Sequence, residues 1–350
     1  MKIFFVPGAY DGCYYYRGYL PAVYGEMTCV TDFASQEMNR DQVRDHALSA
    51  DAVVFQRPND SNRVELMEKL KQKGKFVVFE NDDTYLPEKG VPLNMLGSDK
   101  ARNIAIALSK NIEKALQIAD LVIASTDTLA NEYREVTSAP VVVRKNCIDP
   151  LDEWPRKTIP GNLRLGFIGS VSSNTDYYHI KPLIEELAYR GDTTIVVLGN
   201  IAGQRGYEDD DAFWRVLPNI EWHNFVPATR YHKKLADMSL DAALIPRADN
   251  YFNRCKSNIK FLECSLQRIP VIAQAFASGD GPYQGKKDRK HMRLANTLEE
   301  WAEAVENVRQ NPDKYATLAD KAHEYVLEYY NIETYAKDWK NIITQYATRP

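Results

Sequence analysis

Cysteine is scarce in this chain of 350 residues, and the five present (Cys13, Cys29, Cys147, Cys255 and Cys264) are odd in number and scattered. No two have the Cys-x-x-Cys spacing of a metal or redox site, so reduced thiols in a cytoplasm are expected (the host's, for a viral protein). Long apolar runs are also missing. The run Ile3-Phe4-Phe5-Val6 stops at Pro7-Gly8, short of the about 7–15 residues of a signal-peptide core. No stretch approaches the roughly 20 apolar residues of a membrane span. Charge of one sign is lacking too: 44 basic residues face 48 acidic ones, for a net charge of -4. The global balance demands no polyanionic partner, although a local basic groove leaves nucleic acid open. No His-Glu-x-x-His pattern occurs, and His179, His223 and His232 have no metal spacing, so no metal is expected. Gly279-Asp280-Gly281 lacks the third glycine of a dinucleotide fingerprint. Tandem repeats and low-complexity segments are absent.

The composition is globular, with 44% hydrophobic and 26% charged residues, and the length suits two domains of about 150–200 residues each. In the first half, short apolar runs predict strands over 2–6, 27–31, 51–56, 75–80, 121–125 and 140–144. Helical patterns over 62–73 and 103–118 alternate with them. In the second helix Ile104, Leu108, Ile112 and Leu116 form one stripe. Residues 150–162, with three prolines and little periodicity, read as an interdomain linker. Further strands are expected over 163–168, 193–198, 219–222, 241–245 and 270–273, with helices over 179–189, 230–238 and 257–267. The last third reads as helices over 297–310, 312–330 and 332–346. Near-continuous apolar strands alternating with helices mean an α/β protein of doubly wound parallel sheets, which take ligands at the carboxyl ends of their strands.

Three loops at such ends carry candidate chemistry. After the first strand, Gly8 and Gly12 let backbone approach a ligand. Tyr14, Tyr15 and Tyr16 offer flat faces for a sugar or base, unless they pack internally, and Arg17 follows. After the fourth strand come Glu80, Asn81, Asp82 and Asp83, carboxylates that repel one another unless cations or hydroxyls compensate. They suit acceptor orientation or general-base work, or else a solvated turn. The third is Arg254–Glu263. Ser257 reads as the N-cap of a helix whose first amides, at Asn258, Ile259 and Lys260, face an anion, with Arg254, Lys256 and Lys260 adding charge. Glu263 shares the stripe of Ile259, Leu262 and Leu266, so it needs hydrogen-bond donors or a route to water. The run Lys286–His291 either touches phosphates of a polymer or is a solvated loop.

Ala119–Ser125 is similar to a strand that precedes an interdomain region. Asn146-Cys147-Ile148-Asp149 is similar to an Asn-Gly-Val-Asp junction, and Leu165–Ser170 to a glycine-ended first strand. Lys256–Glu263, followed by Ile269-Pro270-Val271-Ile272-Ala273, is similar to a donor-binding helix and its Gly-x-Pro-Val-Ile-Ala strand. Together, over nearly the whole length, these stretches resemble the retaining glycosyltransferases called glycosyl transferases group 1, which include glycogen and sucrose-phosphate synthases. Gly12–Arg17, Asn81–Thr84 and Lys256–Lys260 look like a divergent phage and bacterial branch.

The resemblance implies a GT-B fold, two Rossmann-like doubly wound domains facing a cleft. Residues 1–149 would form the acceptor side, with helix 332–350 packed back on it, and residues 150–331 the nucleotide-sugar domain. Donor-binding residues are expected at Gly12, Gly169, Ser170, Arg254, Lys256, Ser257, Asn258, Ile259, Lys260 and Glu263. Glu263 matches the second of two family glutamates, on the ribose, whereas Cys255 stands where the first should be. Acceptor binding falls to Tyr14, Tyr15, Tyr16 and Arg17, and catalysis to Asn81, Asp82 and Asp83. The expected activity is metal-independent transfer, with retention, from a UDP-sugar to a hydroxyl. The nucleotide-sugar is a co-substrate, and no cofactor is expected. The acceptor is a glycan or, as for some phage enzymes, a hydroxymethylated base of duplex DNA. An epimerase or phosphorylase of the same fold, or a non-catalytic sugar-binding protein, are the alternatives.

Overall fold

A computed structural model describes residues 1–29, 39–85, 99–169, 176–199 and 213–348. The chain divides into two compact units. Unit 1 comprises Met1–Asp149, Cys255–Ser257 and Asn331–Pro350, and unit 2 comprises Pro150–Arg254 and Asn258–Tyr330.

Unit 1 is built on strands β1 (Ile3–Val6), β2 (Thr28–Cys29), β3 (Ala52–Gln56), β4 (Phe76–Asn81), β5 (Leu121–Ala124) and β6 (Val141–Val143), all parallel, in the order β2-β1-β3-β4-β5-β6. Every residue of β1, β3 and β5 is buried. A strand covered on both faces has no solvent side to mark with polar residues, which is why these read as apolar runs. The helices start where side chains can take up unpaired amides. Asn39 forms a capping box with Gln42, Asp60 accepts from the N–H of Arg63, and Thr126 accepts from that of Leu129. The terminal helix Ile332–Ala347 buries Trp339 and Ile343 against Ile3, Phe5, Val54 and Ile123. Burying a side chain such as Ile343 contributes about 1.5–3 kcal/mol.

Unit 2 holds β7 (Leu163–Ile168), β8 (Thr193–Leu198), β9 (Ile220–His223), β10 (Ala242–Ile245), β11 (Val271–Gln274) and β12 (Arg293–Ala295), again all parallel. Their order, β12-β11-β10-β7-β8-β9, is the dinucleotide-fold order 3-2-1-4-5-6 read from the β9 side. Its core gathers Phe167, Tyr177, Trp214 and Trp301. Strand order reverses between β1 and β3 in unit 1 and between β7 and β10 in unit 2. A doubly wound sheet leaves its crevice at the carboxyl ends of such strands.

One expectation needs correction here. In helix Asp99–Ile118 only the second half of the stripe is covered: Ile112 and Leu116 are buried, whereas Ile104 is 51% and Leu108 36% exposed. Periodicity says which residues share a face, not how far that face is covered. Strand β12 is unanticipated, as are helices Arg40–Ser49 and Asp127–Arg134. Among the described residues no helix is long and apolar enough to cross a membrane.

Candidate functional site

At the carboxyl ends of β1, β3 and β4 unit 1 assembles a compact ionic cluster. Arg57, directly after β3, places Nη2 2.6 Å from Asp82 Oδ1 and 3.1 Å from Asp83 Oδ2. Lys256 pairs with the other oxygen of Asp83. Asn81 shapes the turn: its Oδ1 accepts from the N–H groups of Asp82 (2.9 Å) and Asp83 (3.3 Å). The carboxylate repulsion expected here is therefore relieved by two cations. Burial by itself would raise the pKa of Asp82, but Arg57, Arg17, Lys256 and a hydrogen bond from Cys13 bring it down to about 2. Such a carboxylate is a fixed negative charge and a weak base.

Glu80, in β4 next to Asn81, ion-pairs with Arg17 Nε at 2.6 Å, both side chains fully buried. Arg17 Nη1 donates to the carbonyl of Arg144 (2.5 Å) and to Asn146 Oδ1 (3.1 Å), and its guanidinium lies 5.0 Å from the Trp339 ring centre. Arg17 is thus part of the core and does not reach an acceptor, because a charge this deep persists only when paired. Burial, opposed by Arg17 and reinforced by Asp82, raises the Glu80 pKa from 4.5 to about 7. Between those values the folded chain keeps a proton that the unfolded chain releases. This group's contribution to stability therefore falls as pH rises through that window. In denaturation at several pH values, Glu80→Gln is expected to lose less stability than the unsubstituted protein as pH rises from 4.5 to 7.

The three tyrosines are corrected likewise. Tyr14, Tyr15 and Tyr16 are only 0%, 5% and 8% exposed, so their rings present no open face for stacking. The helix here takes a π turn over Tyr15–Tyr19, and Tyr15 stacks on Tyr19 with centroids 5.7 Å apart. The close backbone approach in this loop belongs to Gly8 rather than Gly12. A Cβ at Gly8 would lie 2.6 Å from the Gln56 carbonyl oxygen, whereas one at Gly12 meets nothing within 4 Å. Gly12 opens a helical stretch capped by Asp11, whose side chain accepts from the N–H of Tyr14.

The stretch Arg254–Glu263 is divided between the units. Lys256 and Ser257 count with unit 1, where Ser257 Oγ accepts from Asn146 Nδ2 at 2.8 Å. Ser257 is therefore not the N-cap. The helix runs Ile259–Leu266 with Asn258 at the cap position, making no side-chain cap bond. Instead Asn258 Nδ2 donates to Asp288 Oδ2 at 3.0 Å and lies 3.2 Å from the Tyr330 hydroxyl. By helix geometry the amides of Ile259 and Lys260 have no intrahelical acceptor. Glu263 is 5% exposed, so it does not reach water as a stripe-edge residue would. Its Oε2 accepts from the Tyr231 hydroxyl (2.8 Å) and Lys260 (3.4 Å). Arg254 is committed to Asp249 and Asp280. Cys255 is fully buried, and its carbonyl accepts from Thr126 Oγ1 at 3.1 Å. Gly169 ends β7 at the switch point, its N–H bonded to the Leu198 carbonyl; Ser170 lies outside the described residues.

Two residues of this geometry are unforeseen. Arg57 is marked in the sequence only as the first charged residue after an apolar strand, and its backbone sits at φ 49°. Arg247, at the end of β10 beside the switch point of unit 2, is buried and pairs with Asp176 at 2.7 Å. His179 Nε2 lies 2.7 Å from Gln274 Oε1 at the end of β11.

No family model matches the chain, and no curated protein does. Solved structures do match. Anabaena HepE in complex with UDP-glucose is 15% identical with a TM-score of 0.68, over 99% of this chain and 100% of that one. The lipopolysaccharide outer core galactosyltransferase WaaB, in its apo form, is 14% identical with a TM-score of 0.58 over 99% of each chain. A glycosyltransferase from Rickettsia africae is 11% identical with a TM-score of 0.65, over 99% of this chain and 98% of its own. At these identities the likeness is one of fold: the chain has the GT-B glycosyltransferase fold over its whole length.

Proposed function

We propose that the protein is a glycosyltransferase that moves a sugar from a UDP-sugar to a hydroxyl acceptor, with retention and without metal. The observation that carries this reading is the start of helix Ile259–Leu266. The amides of Ile259 and Lys260 lie there at the positive helix end, next to the Lys260 ammonium and one turn from the buried Glu263. A diphosphate fits the amides and the ammonium, and ribose hydroxyls are natural donors to Glu263. The same fold occurs in HepE, solved with UDP-glucose, and in the galactosyltransferase WaaB. Lys260 and the helix dipole supply the positive charge that a metal would otherwise bring to the leaving diphosphate. Unit 1 would hold the acceptor, a glycan or a hydroxymethylated base of duplex DNA, with Asp83 at its hydroxyl, Asp82 as a fixed charge and Asn81 shaping the turn. Cytoplasmic action agrees with Cys13, Cys147, Cys255 and Cys264 being free thiols.

A thermal-shift panel of UDP-, GDP-, ADP- and CMP-sugars tests the donor site. Ligand at a hundred times its Kd stabilises by about 2.7 kcal/mol, so the UDP-sugar is expected to raise the midpoint by about 5–10 °C. The shift should survive EDTA and disappear in Glu263→Ala. Stabilisation by no nucleotide-sugar, or a shift untouched by Glu263→Ala, overturns the assignment. Epimerised sugar formed from donor alone would replace transfer with epimerisation.

A further inference from the structure

The contacts of unit 1 form a closed polar circuit. Glu80 Oε1 holds Arg17 Nε at 2.6 Å, and Arg17 Nη1 donates to Asn146 Oδ1 at 3.1 Å. That second bond fixes which end of the Asn146 amide faces inward, because a guanidinium can only donate. The amide nitrogen is thereby turned to Ser257 Oγ, 2.8 Å away. Ser257 follows Lys256, whose ammonium sits on Asp83. Asp83 also takes Arg57, and the N–H of Arg57 returns to the carbonyl of Glu80 at 2.8 Å. The members nearest the core are the most buried: Arg17 and Glu80 completely, and Asn146 at 4% exposure. The Lys256 and Asp83 side chains are 18% and 24% exposed.

We propose that Asn146 is a positioning residue, which holds Lys256 against Asp83 through Ser257. A lysine side chain is long and rotamer-rich, and an ion pair of this exposure gains little by itself. Something must therefore hold the Lys256 backbone where its ammonium meets Asp83 and not solvent. Thr126 and Asn146 are among the side chains that grip the three residues Cys255–Ser257. Thr126 bonds the carbonyl of Cys255 at 3.1 Å, and Asn146 bonds the hydroxyl of Ser257. Of the two, only Asn146 is tied into the buried Arg17–Glu80 pair, so it passes the rigidity of the core to the ionic cluster. The geometric claim stands without the proposed activity; its consequence for Asp83 as a reacting group rests on that reading.

Competitive acetylation of the whole chain, read by mass spectrometry, tests the geometry with no substrate present. An amine engaged with a carboxylate is shielded from the reagent. Ser257→Ala and Asn146→Ala are expected to raise labelling of Lys256 about fivefold, the change that loss of one hydrogen bond permits. The exposed Lys286 and Lys290 serve as references and should not change. Ser257→Thr keeps the hydroxyl and should label as the unsubstituted protein does. Unchanged Lys256 labelling in both alanine variants overturns the proposal. So does an equal rise in Ser257→Thr. If Asn146→Ala fails to fold, Ser257→Ala against Ser257→Thr decides alone. Where transfer is measurable, Ser257→Ala should lower kcat more than it raises the donor KM. Increased labelling without measurable transfer in any form would leave the positioning intact and remove the transferase reading.

Discussion

Asp176→Ala is expected to lower the thermal midpoint of unit 2 by about 10 °C. Asp176 is 3% exposed and accepts three hydrogen bonds: Arg247 Nη1 at 2.7 Å, Asn253 Nδ2 at 2.7 Å and the N–H of Ala248 at 3.1 Å. Its carboxylate therefore neutralises a buried guanidinium and at the same time fixes the backbone after β10. Removing one partner of a buried ion pair costs about 3–5 kcal/mol, because the other charge stays desolvated without its counter-charge. For a unit of this size each kcal/mol moves the midpoint by about 2–4 °C. Tyr283 and Asp176 together raise the Arg247 pKa despite its burial, so the guanidinium has no neutral form to retreat to. Thermal denaturation of Asp176→Ala, Arg247→Met and the double substitution Asp176→Leu with Arg247→Met separates pairing from packing. The double substitution should recover the part of the loss due to the stranded charge, but not the bonds from Asn253 and the N–H of Ala248. A midpoint within about 2 °C of the unsubstituted protein in Asp176→Ala would refute the account.

The same pair shows where sequence reading stops. Asp176 and Arg247 are 71 residues apart and Arg17 and Glu80 are 63 apart, far outside any window in which periodicity works. Strands β1, β3, β7 and β10 are legible because burial on both faces forces apolar residues at successive positions. Strand β12 is not: Arg293-Leu294-Ala295 is short, lies at the sheet edge and is only half covered. Helical spacing puts Glu263 on the apolar stripe but leaves burial or a route to water open, and its partner Tyr231, 32 residues earlier, is not legible at all. Tyr14, Tyr15 and Tyr16 mislead for a related reason. Three aromatic residues in a row after a glycine loop suit a ligand platform or a packed helix equally well, and only the π turn over Tyr15–Tyr19 decides for packing. Ser257 satisfies every local rule for an N-cap. Its hydroxyl is taken by Asn146, 111 residues earlier, and the helix opens one residue later than local chemistry predicts.

The ionic cluster supports the largest functional prediction: Asp83→Asn lowers kcat for sugar transfer by about 10²–10³, with the donor KM changed less than about threefold. Asp82 and Asp83 adjoin in sequence and share Arg57, yet their settings differ. Asp82 makes the shorter contact with Arg57, 2.6 Å against 3.1 Å, and its pKa of about 2 keeps it charged and a poor proton acceptor. Asp83 has one oxygen on Arg57 and one on Lys256, so both contacts come from cations that an incoming hydroxyl can partly displace. Amide replacement at Asp83 keeps the shape and removes the charge. Lys256 then loses this carboxylate and, under the proposed function, a hydroxyl loses its proton acceptor. At Asp82 the same change should cost less than about tenfold, because Arg57 can close fully on Asp83. The proposed donor-binding groups, Ile259, Lys260 and Glu263, belong to unit 2, so the thermal shift with UDP-sugar should be the same in both variants. Equal losses in the two variants would make the cluster a structural clamp and not the place where the acceptor reacts. Loss of the donor shift in Asp83→Asn would mean that the carboxylate serves donor binding.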